Sequence, residues 1–283
     1  MTTSRGRARW VRLARTVALA VVIAIGIVNL YWAVSGWTLS DATAYWNAGL
    51  RLRAGEPLYP SLTDVDASNV YRYAPWFAWL AVPVTFLPIE AAAVLWSAVL
   101  LSASGVALLP LVRLRAWIAV SLFLPILVGI AAVGNVQPLL VAALVHGVER
   151  RSGPLWIAIA ASLKATPILF ALVYLGRRQY WRAAMAAAAT ALLVAPALLY
   201  DLRGYVTDAG QAAALIAVPA AYVAAVAALA VGTLRLAATP LAWLAASTTV
   251  VVALPRLFVY DVTFTMAGVP AQSRQGNPAH RSG

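Results

Sequence analysis

The chain alternates long apolar runs with short polar breaks, and this pattern predicts helices that run through a bilayer. After an arginine-rich start, an apolar run reaches Val34. Others follow at about 73–87, 91–112, 117–133, 138–148, 155–175, 183–199, 212–234 and 241–254. Most approach the roughly 20 residues that a helix needs to cross a hydrocarbon core. The expectation is an all-α, polytopic membrane protein with about nine spanning or half-spanning helices. The run 138–148 is too short to cross a ~30 Å core, so it is expected to pair with its predecessor around a break that lines a cavity.

Arg5, Arg7, Arg9, Arg12 and Arg15 precede the first run, which predicts a cytoplasmic N-terminus and an extracytoplasmic far end. The run is longer than a secretory core and lacks a small-x-small cleavage site, so it reads as an anchor. Residues 35–72 form the first outer loop, where Asp41, Arg51, Arg53, Glu56, Asp64, Asp66 and Arg72 gather. Within it, Asp41 is placed to cap a helix that carries Tyr45, Trp46, Gly49 and Leu52 and stops at Gly55, with Pro57 beyond. This helix is expected to lie on the outer leaflet. If every run crosses, the Arg177–Arg182 cluster and Arg235 fall inside, while Asp201, Arg203, Asp208, Arg256 and the C-terminus fall outside. The alanine-rich stretch 183–246 reads as packing surface. Residues 1–266 form one integral membrane domain, and the polar segment 267–283 is expected to be a disordered tail.

Composition narrows the function classes. The chain is 283 residues long, 63% hydrophobic and 11% charged, with a mean hydropathy of +0.83, which excludes a soluble enzyme. It contains no cysteine, and so no disulfide, thiolate metal site, iron–sulfur cluster or cysteine nucleophile. Its net charge of +12 is scattered between apolar runs, a pattern that suits anionic lipid and not nucleic acid.

Candidate chemistry rests on the few polar residues set among apolar ones. Asp41, just past the first span, is either a helix cap or a general base that takes the proton of an acceptor hydroxyl. One carboxylate suffices for an inverting sugar transfer whose leaving group is already a phosphate. Lys164 is the only lysine and sits within an apolar run, where ionisable groups are costly and functional by default; it suits a lipid phosphate. Pro167 beside it is expected to kink the helix and turn the lysine toward a cavity. Gly134-Asn135-Val136-Gln137-Pro138 is either a turn or a set of amides for sugar hydroxyls. Arg72 and Arg256 are clamps for a phosphate or contacts to headgroups, and Tyr260 and Asp261 follow the last span at the same interface. Trp37, Trp46, Trp76 and Trp79 read as an interfacial aromatic belt. His146 and His280 are too far apart for a metal site, so neither metal nor cofactor is expected.

The segment Ser40-Asp41-Ala42-Thr43-Ala44-Tyr45-Trp46-Asn47-Ala48-Gly49, with Leu52, Gly55 and Leu58-Tyr59-Pro60, resembles the first outer loop of glycosyltransferase family 87, the polyprenol-phosphate-mannose-dependent α-mannosyltransferases. In order after it come Tyr71-Arg72-Tyr73-Ala74-Pro75, similar to that family's Tyr-x-Tyr-x-Pro, and Gly134-Asn135-Val136-Gln137, similar to its Gly-Gln-x-Asn with the two amides exchanged. Leu163-Lys164-Ala165-Thr166-Pro167 resembles its Lys-x-x-Pro, and Tyr260-Asp261 a late Tyr-Asp pair. The resemblance implies a GT-C-type membrane enzyme at the extracytoplasmic face of the cell membrane. Asp41 would be the base, and Lys164, Arg72 and Arg256 would hold the donor phosphate. Asn135, Gln137, Tyr45, Tyr260 and Asp261 would contact sugar or acceptor. The donor would be a polyprenyl-phosphate sugar, and the acceptor a glycan or glycolipid. A transporter or flippase of a lipid-linked substrate is equally compatible with many spans and a lone lysine. A shortened, non-catalytic relative is the third class.

Overall fold

The computed structural model describes residues 38–60, 70–205 and 218–269, with scattered helical positions between Thr16 and Tyr31. The expectations about the arginine-rich start, Trp37, Asp64, Asp66, Asp208, His280 and residues 270–283 lie outside the described residues. Those described are helical or irregular, with no strand among them.

Helix α1, Ser40–Ala54, is followed by α2, Pro75–Ala81, which a 3₁₀ turn over Val82–Phe86 extends. Then come α3, Ile89–Arg113, α4, Trp117–Val133, and α5, Gln137–Gly147. Helix α6, Gly153–Leu163, leads through a 3₁₀ turn, Thr166–Phe170, into α7, Ala171–Gly176. Helix α8, Tyr180–Val194, continues as the 3₁₀ turn Ala195–Leu199, and α9, Pro219–Leu236, precedes α10, Ala242–Val252. The last element is a ten-residue 3₁₀ helix, Val259–Gly268. Proline opens α2, α5, α6 and α9, where its missing N–H costs no helical bond. Gly55 and Gly134 end α1 and α4 in the left-handed conformation that a glycine adopts without Cβ strain.

Among the described residues, three helical stretches are long and apolar enough to cross a membrane: Ile89–Arg113, Tyr180–Leu199 and Pro219–Leu236. Large apolar side chains face outward, with Trp181 76% and Leu199 86% exposed. In water such a surface would drive association; it suits lipid.

Contacts between helices correct the expected path at two runs. The first, 73–87, forms only the short helical stretch Pro75–Phe86, which lies along α1, where Arg53 donates to the Thr85 carbonyl at 2.9 Å. Gly49 allows this approach, because a Cβ there would lie 2.8 Å from Thr85 and 3.2 Å from the Ala81 backbone. The second, 155–175, is not one span. Its helix stops at Leu163, Lys164 is extended, and the chain turns back so that the Tyr174 hydroxyl reaches the Val148 carbonyl at 2.6 Å, beside the start of α6. Lys164 is therefore the tip of a hairpin, where the sequence predicts a kinked continuous helix.

The remaining contacts order the helix ends. Trp96 of α3 donates to the Gly134 carbonyl at 2.8 Å, and His146 of α5 meets the Val106 carbonyl, so α3 and α5 run parallel and α4 returns between their ends. At one end lie Asp41, Gly134, Lys164 and Tyr260. At the other end Trp243 donates to Glu149 at 3.0 Å, and Arg177 donates to the Ala237 carbonyl at 2.7 Å. Arg113, Arg115, Arg150, Arg151, Arg178, Arg182 and Arg235 fall at this second end with Glu149, a strongly positive balance, whereas charges of both signs share the first more evenly. The final 3₁₀ helix descends from the first end to the second, since a Cβ on Gly268 would strike Leu244, next to Trp243. The last described residues therefore lie opposite Asp41, and Ala267 and Gly268 are buried. The alanine-rich stretch also differs: α8 buries Ala183 and Ala186, while α9 buries only Thr233, so most of it faces outward.

Candidate functional site

The site forms where several parts of the chain turn: the start of α1, the reversal between α4 and α5, the tip at Lys164, and the entry to the last 3₁₀ helix. Each reversal breaks a helix and frees backbone groups that need partners in the interior. Polar side chains gather there in consequence.

Asp41 stands in the first turn of α1, but it does not cap the helix. The cap position belongs to Leu39, whose φ of 51° is left-handed, and no side chain caps the N-terminus. A leucine in that region costs roughly 1–2 kcal/mol. Two hydrogen bonds offset the strain, from the Thr38 and Leu39 N–H groups to the Ala132 carbonyl at 3.1 and 2.9 Å. They pin the start of α1 to the last turn of α4. Gly134 lets the two surfaces close, since a Cβ on it would sit 2.8 Å from the Ala42 Cβ and 2.9 Å from the Ala42 nitrogen.

Freed from capping, the Asp41 carboxylate accepts a 2.6 Å hydrogen bond from Asn135 Nδ2 on Oδ2. Burial pushes its pKa above the ordinary carboxylate value, opposed by the Asn135 hydrogen bond and by the positive charges of Arg72 and Lys164. Tyr73 lies beside the pair. Its hydroxyl is 3.4 Å from Asn135 Nδ2 and 3.2 Å from the hydroxyl of Tyr45, whose ring meets Tyr73, Phe77 and Trp96 edge-on.

A second cluster lies deeper. Asn135 Oδ1 accepts the backbone N–H of Gln137 at 2.9 Å. The Gln137 side chain, fully buried, donates to Thr263 at 3.2 Å and accepts from Lys164 at 3.1 Å. Lys164 forms a salt bridge with Asp261, whose side chain has no exposed surface, and Asp261 also accepts the Phe258 N–H at 2.9 Å. The ammonium sits 4.6 Å from the Tyr260 ring centroid. Tyr260 stacks on Phe258 at 5.1 Å, and Arg256 lies over the Phe258 ring at 4.7 Å.

The residues that the sequence singles out are thus brought to one end of the molecule, and most share one network: Asp41, Asn135, Gln137, Lys164 and Asp261 by hydrogen bonds, Tyr45 through Tyr73, and Tyr260 by its ring. Arg72 acts on Asp41 through its charge. Arg256 joins through Phe258. Trp76 and Trp79 donate to Ser162 and to the Tyr200 hydroxyl at 3.1 and 3.0 Å. Sequence reasoning misses Tyr73 and Thr263 as members of the network. Tyr73 was within reach, because it belongs to the Tyr-x-Tyr-x-Pro segment; Thr263 carries no local signal.

Beside α1, an apolar groove of about 540 Å³ runs between Leu39 and the Ala93, Val94, Ser97, Ala98 and Leu101 face of α3. Leu39, on its lining, stands two residues before Asp41. Compared with family models, curated proteins and solved structures, the chain matches none.

Proposed function

We propose that this protein is an integral membrane glycosyltransferase. It moves a sugar, mannose by the family resemblance, from a polyprenyl-phosphate donor to an extracytoplasmic glycan or glycolipid, with inversion. The observation that carries the reading is the Asp41 carboxylate, half-buried within the influence of Arg72 and Lys164, excused from capping its helix and hydrogen-bonded to Asn135. A carboxylate that caps nothing and lies at a break among apolar helices has the features expected of a general base.

In this reading Asp41 accepts the proton of the acceptor hydroxyl as that oxygen bonds to the sugar's anomeric carbon. The bond from that carbon to the phosphate oxygen breaks, and polyprenyl phosphate leaves with the electron pair. Arg72 and Arg256 serve the phosphate. Lys164, already paired with Asp261, supports the site from below. The apolar groove beside Leu39 offers a course for the prenyl tail next to the base. The arginines gathered at the opposite end favour a cytoplasmic location there, which supports an extracytoplasmic Asp41.

The test is transfer itself. The purified protein in lipid nanodiscs, given labelled polyprenyl-phosphate-mannose and envelope glycolipid acceptors, is expected to form labelled product that Asp41→Asn does not form. Donor crossing of a proteoliposome bilayer without any transfer would replace this reading with the transporter.

A further inference from the structure

We infer that Asn135 is a positioning residue, clamped by the backbone of Gln137 so that it presents a hydrogen to Asp41 and leaves Oδ1 of that carboxylate for the incoming proton. The inference rests on the reading of Asp41 as the base, and it deepens that reading.

A carboxamide has a donating end and an accepting end of nearly the same shape. Here the backbone decides between them. The Gln137 N–H opens α5 and has no helical acceptor; it finds Asn135 Oδ1 at 2.9 Å. Turning the amide over would set its NH₂ against that N–H and its oxygen against the Asp41 carboxylate, two repulsions at once. The orientation is therefore forced, and Nδ2 faces Asp41 Oδ2 at 2.6 Å. Gln137 is itself immobilised by Lys164 and Thr263. Both ends of the Asn135 amide are engaged within the protein, and the residue is 5% exposed. Its donated hydrogen bonds go to Asp41 at 2.6 Å and to the Tyr73 hydroxyl at 3.4 Å.

The charged and titratable groups that act around Asp41 are Arg72, Lys164, Tyr45, Tyr73 and Tyr260. They remain in any Asn135 variant, so a change in Asp41 titration reports the lost hydrogen bond. Infrared pH-difference spectra of the full chain in nanodiscs, without substrate, give the protonated-carboxyl band of Asp41, identified by its disappearance in Asp41→Asn. In Asn135→Leu the midpoint is expected to rise by about one pH unit. Asn135→Asp keeps the side-chain size and an acceptor for Gln137, so it covers the case in which the leucine variant fails to fold. There two carboxyls would share one proton, and the band would persist to higher pH than in the wild type. A midpoint unmoved in Asn135→Leu, or in Asn135→Asp if the leucine variant does not fold, overturns the inference. Its failure is separate from that of the proposed function, which falls if Asp41→Asn still transfers sugar while the Asn135 shift stands.

Discussion

Lys164 and Asp261 stand 97 residues apart in the chain, yet they form an ion pair in which the carboxylate is fully buried and the lysine side chain keeps 19% of its surface. Removing one partner strands the other. A lone buried charge costs about 3–5 kcal/mol, whereas an apolar pair of similar volume is often neutral. Lys164→Met should therefore destabilise the protein by about that amount, and the double variant Lys164→Met/Asp261→Leu should recover most of it. Thermal unfolding of the purified variants in one detergent would close the cycle. A double-variant loss equal to the sum of the losses in Lys164→Met and Asp261→Leu alone would show that the pair contributes little coupling.

Gly134 and Gly55 allow a controlled comparison, because both are left-handed but only one is crowded. Gly55 has a φ of 69° and nothing within 4 Å of an added Cβ, so Gly55→Ala should cost only the strain, roughly 1–2 kcal/mol. Gly134 has a φ of 85° and Ala42 against it, so Gly134→Ala adds an overpacking cost of about 1–3 kcal/mol. The extra cost should push α1 off α4 and carry Asp41 from Asn135. Transfer is expected to fall well beyond the stability loss in Gly134→Ala and to stay near wild type in Gly55→Ala. Equal effects of the two substitutions would argue against the close contact as the device that seats Asp41.

The helical class and most of the site were legible in the sequence for one reason: polar side chains are rare among apolar runs, and each carries information in proportion. Asp41, Asn135, Gln137, Lys164 and Asp261 stood out on that ground. Their partners did not. No local pattern links Lys164 to Asp261 or Gln137 to Thr263, because those contacts are made only when separate helix ends meet. The hairpin at Lys164 was hidden because hydropathy averages one lysine into twenty apolar neighbours. Asp41 looked like a cap because an aspartate before a helix usually is one. There a tertiary contact overrode the local preference: the Ala132 carbonyl draws the chain in through Leu39, and the helix begins one residue before the aspartate.

The proposed sidedness can be tested at the two ends. The chain contains no cysteine, so single cysteines can be placed without background. Glu56 and Arg203 are exposed at the end that holds Asp41, and Arg151 is exposed at the opposite end. On intact cells, Glu56→Cys and Arg203→Cys should react with an impermeant maleimide, and Arg151→Cys only after permeabilisation. The reverse pattern would place Asp41 in the cytoplasm and remove the extracytoplasmic acceptor from the proposal.

The last prediction concerns the charge on Asp41. A general base works only when ionised, so the transfer rate should rise with pH as the carboxyl loses its proton. Burial raises the Asp41 pKa, with Asn135, Arg72 and Lys164 opposing it, and the acid limb of kcat/KM should therefore lie above the ordinary carboxylate value of about 4. Neutralising Arg72 removes one of the opposing charges and should move that limb to still higher pH. Asp41→Asn keeps the shape but cannot take the proton, so transfer should fall by roughly 10²–10⁴-fold. Its unfolding temperature should change little, because the side chain caps no helix. A limb that stays in place in Arg72→Gln would detach the titrating group from Asp41, and an Asn variant that transfers at the wild-type rate would end the assignment of the base.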